Sequence, residues 1–217
     1  MTAATSPKFQ RRKDARPAEI VQAALQVFTE KGFAAARLDD IAARAGVSKG
    51  ALYLYFATKE ELFHAVVAQA VAPNLARVRA LVEAYDGPFR DLLLIFMRQM
   101  AQAAERSPIG AIGKMVIGES RNFPTLAREW HDSVVAPMLA VLTATIARAQ
   151  GRGEVRPGEP RLIAMQIAGP FLMAVLWRET FVPVGAMAVD LDRLAEQHAR
   201  TLREGLFLPA PPPEPGP

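Results

Sequence analysis

The sequence predicts an all-α protein, with a small three-helix unit near the N-terminus and a larger helical unit behind it. Three observations lead there. Apolar residues recur at intervals of three and four along most of the chain, the spacing of one helix face. No segment alternates apolar and polar residues long enough for a half-buried strand. Of 217 residues 51% are hydrophobic, which suffices for a core.

Residues 1–15 carry Ser, Pro and charges without periodicity, and read as a disordered basic tail. Ile20, Ala23, Ala24, Val27 and Phe28 then form one helical stripe, with Pro17 suited to its first turn and Gly32 to its stop. Leu38, Ile41, Ala42 and Ala45 make a second, short stripe that Gly46 ends. Ser48 is an N-cap for a third helix carrying Leu52 and Tyr55. Thr58 with Glu61 three residues on is a capping box, opening a helix through Leu62, Phe63, Val66 and Ala70 that Pro73 is expected to kink. Gly87-Pro88 breaks the chain. Helices are expected at 89–106, 109–119, 124–148, 161–177 and 191–206, with loops GRGEVRPGEP and FVPVGAMAV between the later ones. The end, PAPPPEPGP, reads as a disordered tail. The expected division is 1–15 tail, 16–60 first domain, 61–207 second domain and 208–217 tail.

Charge is unevenly placed. The first sixty residues hold ten Lys and Arg against six Asp and Glu, while the rest of the chain balances at sixteen each. Clustered cations suit a nucleic-acid partner, and a mildly basic solvated face would look the same. There is no cysteine, so disulfides and thiolate sites are excluded, which fits a cytoplasmic location. The basic N-terminus lacks the apolar stretch of a secretory signal. The longest uncharged run, residues 162–177, is shorter than the roughly 20 residues that span a bilayer, and reads as a buried helix. It is apolar on more than one face, so a partner chain is expected to cover one side, and Pro170 is expected to kink it.

The stretch LDDIAARAGVSKGALYLYF, residues 38–56, carries the strongest functional signal. Two short helices meet at a tight turn, with Ala42 small at the crossing, Gly46 free to take positive φ, and Val47 and Leu52 beneath. This is the pattern of a helix-turn-helix, whose second helix enters the major groove of double-stranded DNA. The N-terminus of that helix, capped by Ser48, offers free N–H groups and the positive end of the helix dipole to phosphate. Lys49 adds a charge, Gly50 and Ala51 allow close approach, and Tyr53 and Tyr55 offer hydroxyls and ring faces. Lys59 opens the next helix and is expected to pair a phosphate.

With AALQVFTEKGF before it and TKEELF after it, this run resembles the DNA-binding domain of TetR-type transcriptional regulators. The stretch from Ile20 to Phe63 carries the likeness, and G-V-S-x-G-x-L-Y-x-Y-F followed by x-x-K-x-x-L-F is its most specific part. A weaker likeness continues in VIGESRNFPTLAREWHDSVV. The resemblance implies three N-terminal helices for DNA, a larger ligand-binding domain, and a homodimer formed by the last two long helices. Two positions depart from it. Relatives often place Thr-Thr or Thr-Ser before the second helix; here Ala36 and Arg37 stand there, so a cap worth about 0.5–2 kcal/mol is lost while Arg37 gains reach toward phosphate. Asp39 replaces a frequently basic residue. It is expected to face away from the DNA or to favour a cytosine amino group. Lys8, Arg11, Arg12, Lys13 and Arg16 suit either a minor-groove arm or a solubilising end.

Catalysis has little support. His64, His131 and His198 are far apart in sequence, no metal-ligand spacing, phosphate loop or nucleophile elbow is present, and no cofactor or metal is expected. His131 and Asp132 are adjacent on a helix and are expected to point apart rather than form a dyad. In the larger unit, Phe96, Met100, Met115 and Phe171, with Trp130 and Trp177, suit either core packing or the wall of an apolar ligand pocket. Arg121 and His131 are its candidate polar anchors. The reading that unites these features is a dimeric repressor on a pseudo-palindromic operator, released by a small, largely apolar effector, without membrane attachment. The alternative is a helical ligand-binding or enzymatic protein with a vestigial DNA-binding domain.

Overall fold

The computed structural model describes residues 10–207. Its helices are α1 (Gln10–Ala35), α2 (Leu38–Arg44), α3 (Lys49–Tyr53), α4 (Lys59–Ala70), α5 (Ala72–Glu83), α6 (Phe89–Arg106), α7 (Ile109–Glu119), α8 (Pro124–Trp130), α9 (Ala136–Gly151), α10 (Pro160–Thr180) and α11 (Leu191–Leu206), with a π turn at His131–Val135 and a 3-10 turn at Val182–Val184. Among the described residues one isolated antiparallel bridge, Val155 with Phe207, stands outside the helices.

The chain forms two compact units, one of residues up to 71 together with 111–130, the other of 72–110 and 131 onward. A boundary after residue 60 would cut α4 away from α1. The buried face of α4, Leu62, Phe63, Val66 and Val67, belongs to the first unit's core, and Phe63 meets Phe28 ring to ring at 6.2 Å.

In the first unit α1 begins at Gln10, so Pro17 lies inside the helix and residues 10–15 are helical rather than disordered. Gln, Arg, Lys and Ala in that stretch are good helix formers, and one proline removes only one amide donor. The helical path breaks at Gly32, whose φ of 78° and ψ of 167° belong to a region that only glycine enters at low cost. Phe33 follows, fully buried, with its ring 5.3 Å from Phe28, 5.9 Å from Phe63 and 5.1 Å from Phe123. Lys8 and the tail 208–217 lie outside the described residues, as do the side chains of Arg11, Arg12 and Lys13; Arg16 is exposed.

The second unit is a helical core. Val78 and Val82 of α5, Phe89, Leu92, Leu93 and Phe96 of α6, Leu142 and Ile146 of α9, Ile167 and Phe171 of α10, and Ala195 and Ala199 of α11 are buried together. Helix α10 runs through Pro170 and buries Ile163, Ala164, Ile167, Phe171 and Ala174. Leu162, Met165, Leu172, Met173 and Trp177 stay exposed, so within one chain this helix is covered on one side only. Two helical stretches, Pro124–Gly151 and Pro160–Val184, are long and apolar enough to cross a membrane. A core helix passes the same measure, and both stretches contribute buried residues to the cores described here.

Glu154 ties a loop to α6: its carboxylate accepts the Phe89 amide at 2.6 Å and the Arg152 guanidinium at 2.5 Å. Burial pushes its pKa up, but the Arg152 and Phe89 hydrogen bonds outweigh this and hold it below the ordinary 4.5. A carboxyl whose folded pKa is depressed stabilises the fold above its unfolded value, and that contribution disappears as pH falls through the folded value. Glu154→Gln is therefore expected to lower Tm at neutral pH. The gap to the native protein should shrink below pH 4.5 and close once the carboxyl is protonated in both states, as thermal unfolding across pH would record.

Candidate nucleic-acid interface

The turn between α2 and α3 is built locally. Gly46 takes φ 66°, and the Val47 amide closes the turn on the Ala42 carbonyl at 3.0 Å. The Ser48 hydroxyl accepts the Ala51 amide at 3.1 Å, an N-cap that fixes the start of α3. Leu52 is fully buried and anchors the helix from below. Lys49, Gly50 and Tyr53 of the helix and Tyr55 just beyond it are exposed, and Ala51 is half-buried. A side chain at Gly50 would meet nothing within 4 Å, so the fold itself does not require glycine there. Arg37 occupies the N-cap position of α2 with no side-chain cap bond, as its residue type implies.

Around this face the cations are paired within the protein. Lys31 meets Asp40 at 2.8 Å, Arg44 meets Glu30 at 2.7 Å, and Lys49 meets Asp39 at 2.9 Å. The Asp40 carboxyl is lowered, first by its hydrogen bond from Lys31, and the Lys49 ammonium is raised, first by its hydrogen bond to Asp39. From residue 31 to 59, Arg37 is the one cation without a hydrogen-bonded or ion-paired partner among the described residues.

Lys59 does something the sequence did not suggest. Its ammonium donates to the carbonyls of Phe33 at 2.6 Å, Ala36 at 3.1 Å and Ala34 at 3.2 Å, and lies 4.5 Å over the Phe33 ring. Three donors are all that an ammonium has, so the expected phosphate contact gives way to a structural one. From the other side, the Glu119 carboxylate at the end of α7 accepts the Phe33 and Ala34 amides, both at 2.7 Å. A Cβ on Gly32 would fall 2.6 Å from that carboxylate. The end of α1 past Gly32, which leads on to Arg37, is thus bracketed by a cation on its carbonyls and an anion on its amides. The partner of the Phe33 amide lies 86 residues away in sequence, and only the likeness in VIGESRNFP pointed to its neighbourhood.

The expected pocket residues are not brought together. The second unit has a small apolar cavity, with space for about one water, lined by Val82, Phe89, Leu92, Leu93, Phe96, Leu142 and Thr145. Phe96 alone of the expected set lines it. Phe171 is buried in the core with its ring 6.5 Å from that of His198, and Met100 packs half-buried against that core. Trp177 donates its indole N–H to the Met187 carbonyl at 2.9 Å and stacks near Phe181. Met115, Arg121 and Trp130 belong to the first unit: Met115 is buried, Arg121 exposed, and Trp130 packs by Gly113. His131 is exposed and, contrary to expectation, meets Asp132 at 2.7 Å, at the start of a π turn rather than within an ordinary α-helix. Thr145, the one polar lining residue, donates to the Val141 carbonyl at 2.7 Å. Among the described residues no group of His, Asp or Glu could hold a metal ion.

The model for bacterial regulatory proteins of the tetR family matches residues 20–66, and that for a tetracyclin repressor-like C-terminal domain matches residues 85–197. The chain belongs to the tetR family. This TetR-family chain is 39% identical over 87 residues to the HTH-type transcriptional activator FasR of Mycolicibacterium smegmatis, a match covering 34% of this chain and 40% of that protein. It is 42% identical over 79 residues to the HTH-type transcriptional regulator RutR of Escherichia coli K12, covering 36% and 37%. The matches therefore span well under half the length of these curated relatives. A solved TetR-family regulator from Pseudomonas syringae is 27% identical, with 90% of this chain and 99% of that chain covered at a TM-score of 0.68. The regulator FadR of Bacillus subtilis, solved in complex with stearoyl-CoA, shares the fold at a TM-score of 0.72 with 22% identity, over 87% of this chain and 98% of that one.

Proposed function

We propose that this TetR-family chain is a cytoplasmic, homodimeric repressor that reads a pseudo-palindromic operator with one α2–turn–α3 head per half-site, acting by binding and not by catalysis. The observation that carries this reading is the Ser48-capped start of α3, with Lys49, Gly50 and Tyr53 exposed on the helix and Tyr55 exposed just after it. Lys49 and the Ser48–Ala51 backbone meet phosphate and base edges; Tyr53 and Tyr55 add hydroxyls and ring faces. Arg37, the unpaired cation, holds the phosphate backbone.

The second copy lies against α10. Leu162, Met165, Gly169, Leu172 and Leu176 are spaced alternately by three and four residues, the seam that two packed helices share. Leu172 and Met173 are 53% and 64% exposed in one chain, an unusual position for two large apolar side chains side by side. The effector is apolar and binds in the second unit, where the small cavity between Val82, Phe96 and Leu142 holds only about one water and has to widen to admit it. FadR of Bacillus subtilis was solved with stearoyl-CoA and SmeT with triclosan, both with large apolar parts. The ligand acts by preferring the non-binding arrangement of the dimer, with a coupling of about 1–3 kcal/mol typical of such systems.

Selection of duplexes from a random pool by the purified protein tests this directly. The expected product is a sequence with two inverted half-sites about one helical turn apart. Tyr53→Ala is expected to weaken binding to that duplex while leaving Tm unchanged, since the side chain is exposed; wild-type affinity in this variant would remove Tyr53 from the interface. A reporter behind the selected sequence fixes the sign of regulation: repression lowers its output, and an apolar effector restores it.

A further inference from the structure

Asp39 is the second residue of α2 and Lys49 the first of α3, and both oxygens of the one reach the ammonium of the other, at 2.9 and 3.1 Å. The two side chains are 47% and 61% exposed, so the pair sits open to solvent beside the start of the reading helix. Of the other cations nearby, Lys31 is committed to Asp40, Arg44 to Glu30 and Lys59 to backbone carbonyls, and Arg37 alone has no ion-paired or hydrogen-bonded partner among the described residues. A negative charge at this place is costly against DNA unless a donor on the DNA meets it.

We propose that Asp39 and Lys49 together read one G·C base pair, which makes Asp39 a specificity-determining residue. This rests on the reading of α3 as the DNA-facing helix. In the major groove guanine presents two adjacent acceptors, N7 and O6, and its cytosine presents the N4 amino donor next to them. Lys49 donates to the guanine acceptors, and the Asp39 carboxylate it leaves accepts from N4. An A·T pair places the thymine O4 acceptor and methyl group where the carboxylate must lie, so the same two side chains fit it poorly. On sequence-independent contacts, where affinity comes from phosphate neutralisation alone, moving Lys49 to a phosphate strands Asp39 beside other phosphates. The carboxylate thus gains a partner only at the correct base pair and repels the duplex elsewhere.

The test uses the full chain, as wild type, Asp39→Asn and Asp39→Glu, each selecting duplexes from the same random pool. Wild type is expected to enrich a G·C pair at one position of each half-site, with discrimination of about tenfold or more. In the Asp39→Asn variant, whose amide both donates and accepts, that preference should fall to about threefold or less. Binding to an unselected duplex should strengthen several-fold and gain about one unit of salt slope, because Lys49 is released to phosphate. Asp39→Glu keeps the charge and should keep both the preference and the weak unselected binding. A purely structural role for Asp39 would shift Tm in both variants and leave the base preference alone. Unchanged G·C preference in Asp39→Asn overturns the proposal. A wild-type protein that enriches no sequence at all overturns the DNA-binding reading beneath it, and is recognised by the absence of any half-site.

Discussion

Phe33→Ala is expected to cost the first unit about 3–5 kcal/mol, a large share of the roughly 5–15 kcal/mol that holds a domain folded. The ring is fully buried among Phe28, Phe63 and Phe123, and the Lys59 ammonium rests on its face at 4.5 Å. Removing it leaves a cavity and takes one side from the seat of Lys59. The backbone of the same residue is held at both ends, its amide by Glu119 at 2.7 Å and its carbonyl by Lys59 at 2.6 Å. Loosening therefore spreads to the end of α1 that leads on to Arg37. Chemical denaturation should show a fall in stability, and affinity for the selected duplex should drop with it. Lys59→Met separates the two effects: it keeps the apolar stem but leaves three carbonyls without their donor. A stability loss there with an unchanged salt slope on DNA would establish the structural role; a slope reduced by about one unit would return Lys59 to the phosphates.

Leu172→Glu is the second expected large effect. If the exposed stripe of α10 meets its copy, the substitution places an unpaired charge at the centre of the seam, where desolvation costs several kcal/mol per ion. The variant should elute as a monomer in sizing with light scattering while keeping its helical content. Val175 of α10 and Leu202 of α11 are half-buried against their own chain's core. A charge at either is expected to unfold the second unit rather than dissociate the dimer cleanly. A Leu172→Glu protein that remains dimeric would move the interface off this face.

Helix positions were largely legible because their signals are local. Ser48 and Thr58 cap the helices they were expected to cap, and the Glu61 carboxylate reaches back to the Ala57 amide at 2.7 Å, one residue before the cap itself. The bounds of α6, α7 and α11 coincide with the expected 89–106, 109–119 and 191–206. What sequence did not reveal depends on partners without a side-chain signature. Backbone carbonyls at the end of α1 leave no mark in the sequence, so Lys59 looked available for phosphate. Glu119 belongs to a helix that no periodicity connects with Gly32. The aromatic residues expected around a ligand are ambiguous by nature, since a Phe that fills a core and a Phe that lines a cavity obey the same spacing. Phe89 and Leu142 line the cavity, yet their pattern is that of ordinary core positions. Adjacent residues such as His131 and Asp132 diverge on an α-helix, and a π turn stands there instead.

That π turn also makes chain length locally negotiable. Its hydrogen bonds close over one more residue than an α turn does, so the stretch from Pro124 to Gly151 contains a surplus residue at His131–Val135. Deleting one residue within those five can be absorbed by tightening the turn to α, with Leu142, Ile146 and Ala149 still facing the core they line. The same deletion a few positions later, inside α9, has no slack to draw on. It would rotate every following side chain by about 100°, one step of a 3.6-residue helix, and carry those three residues off the core.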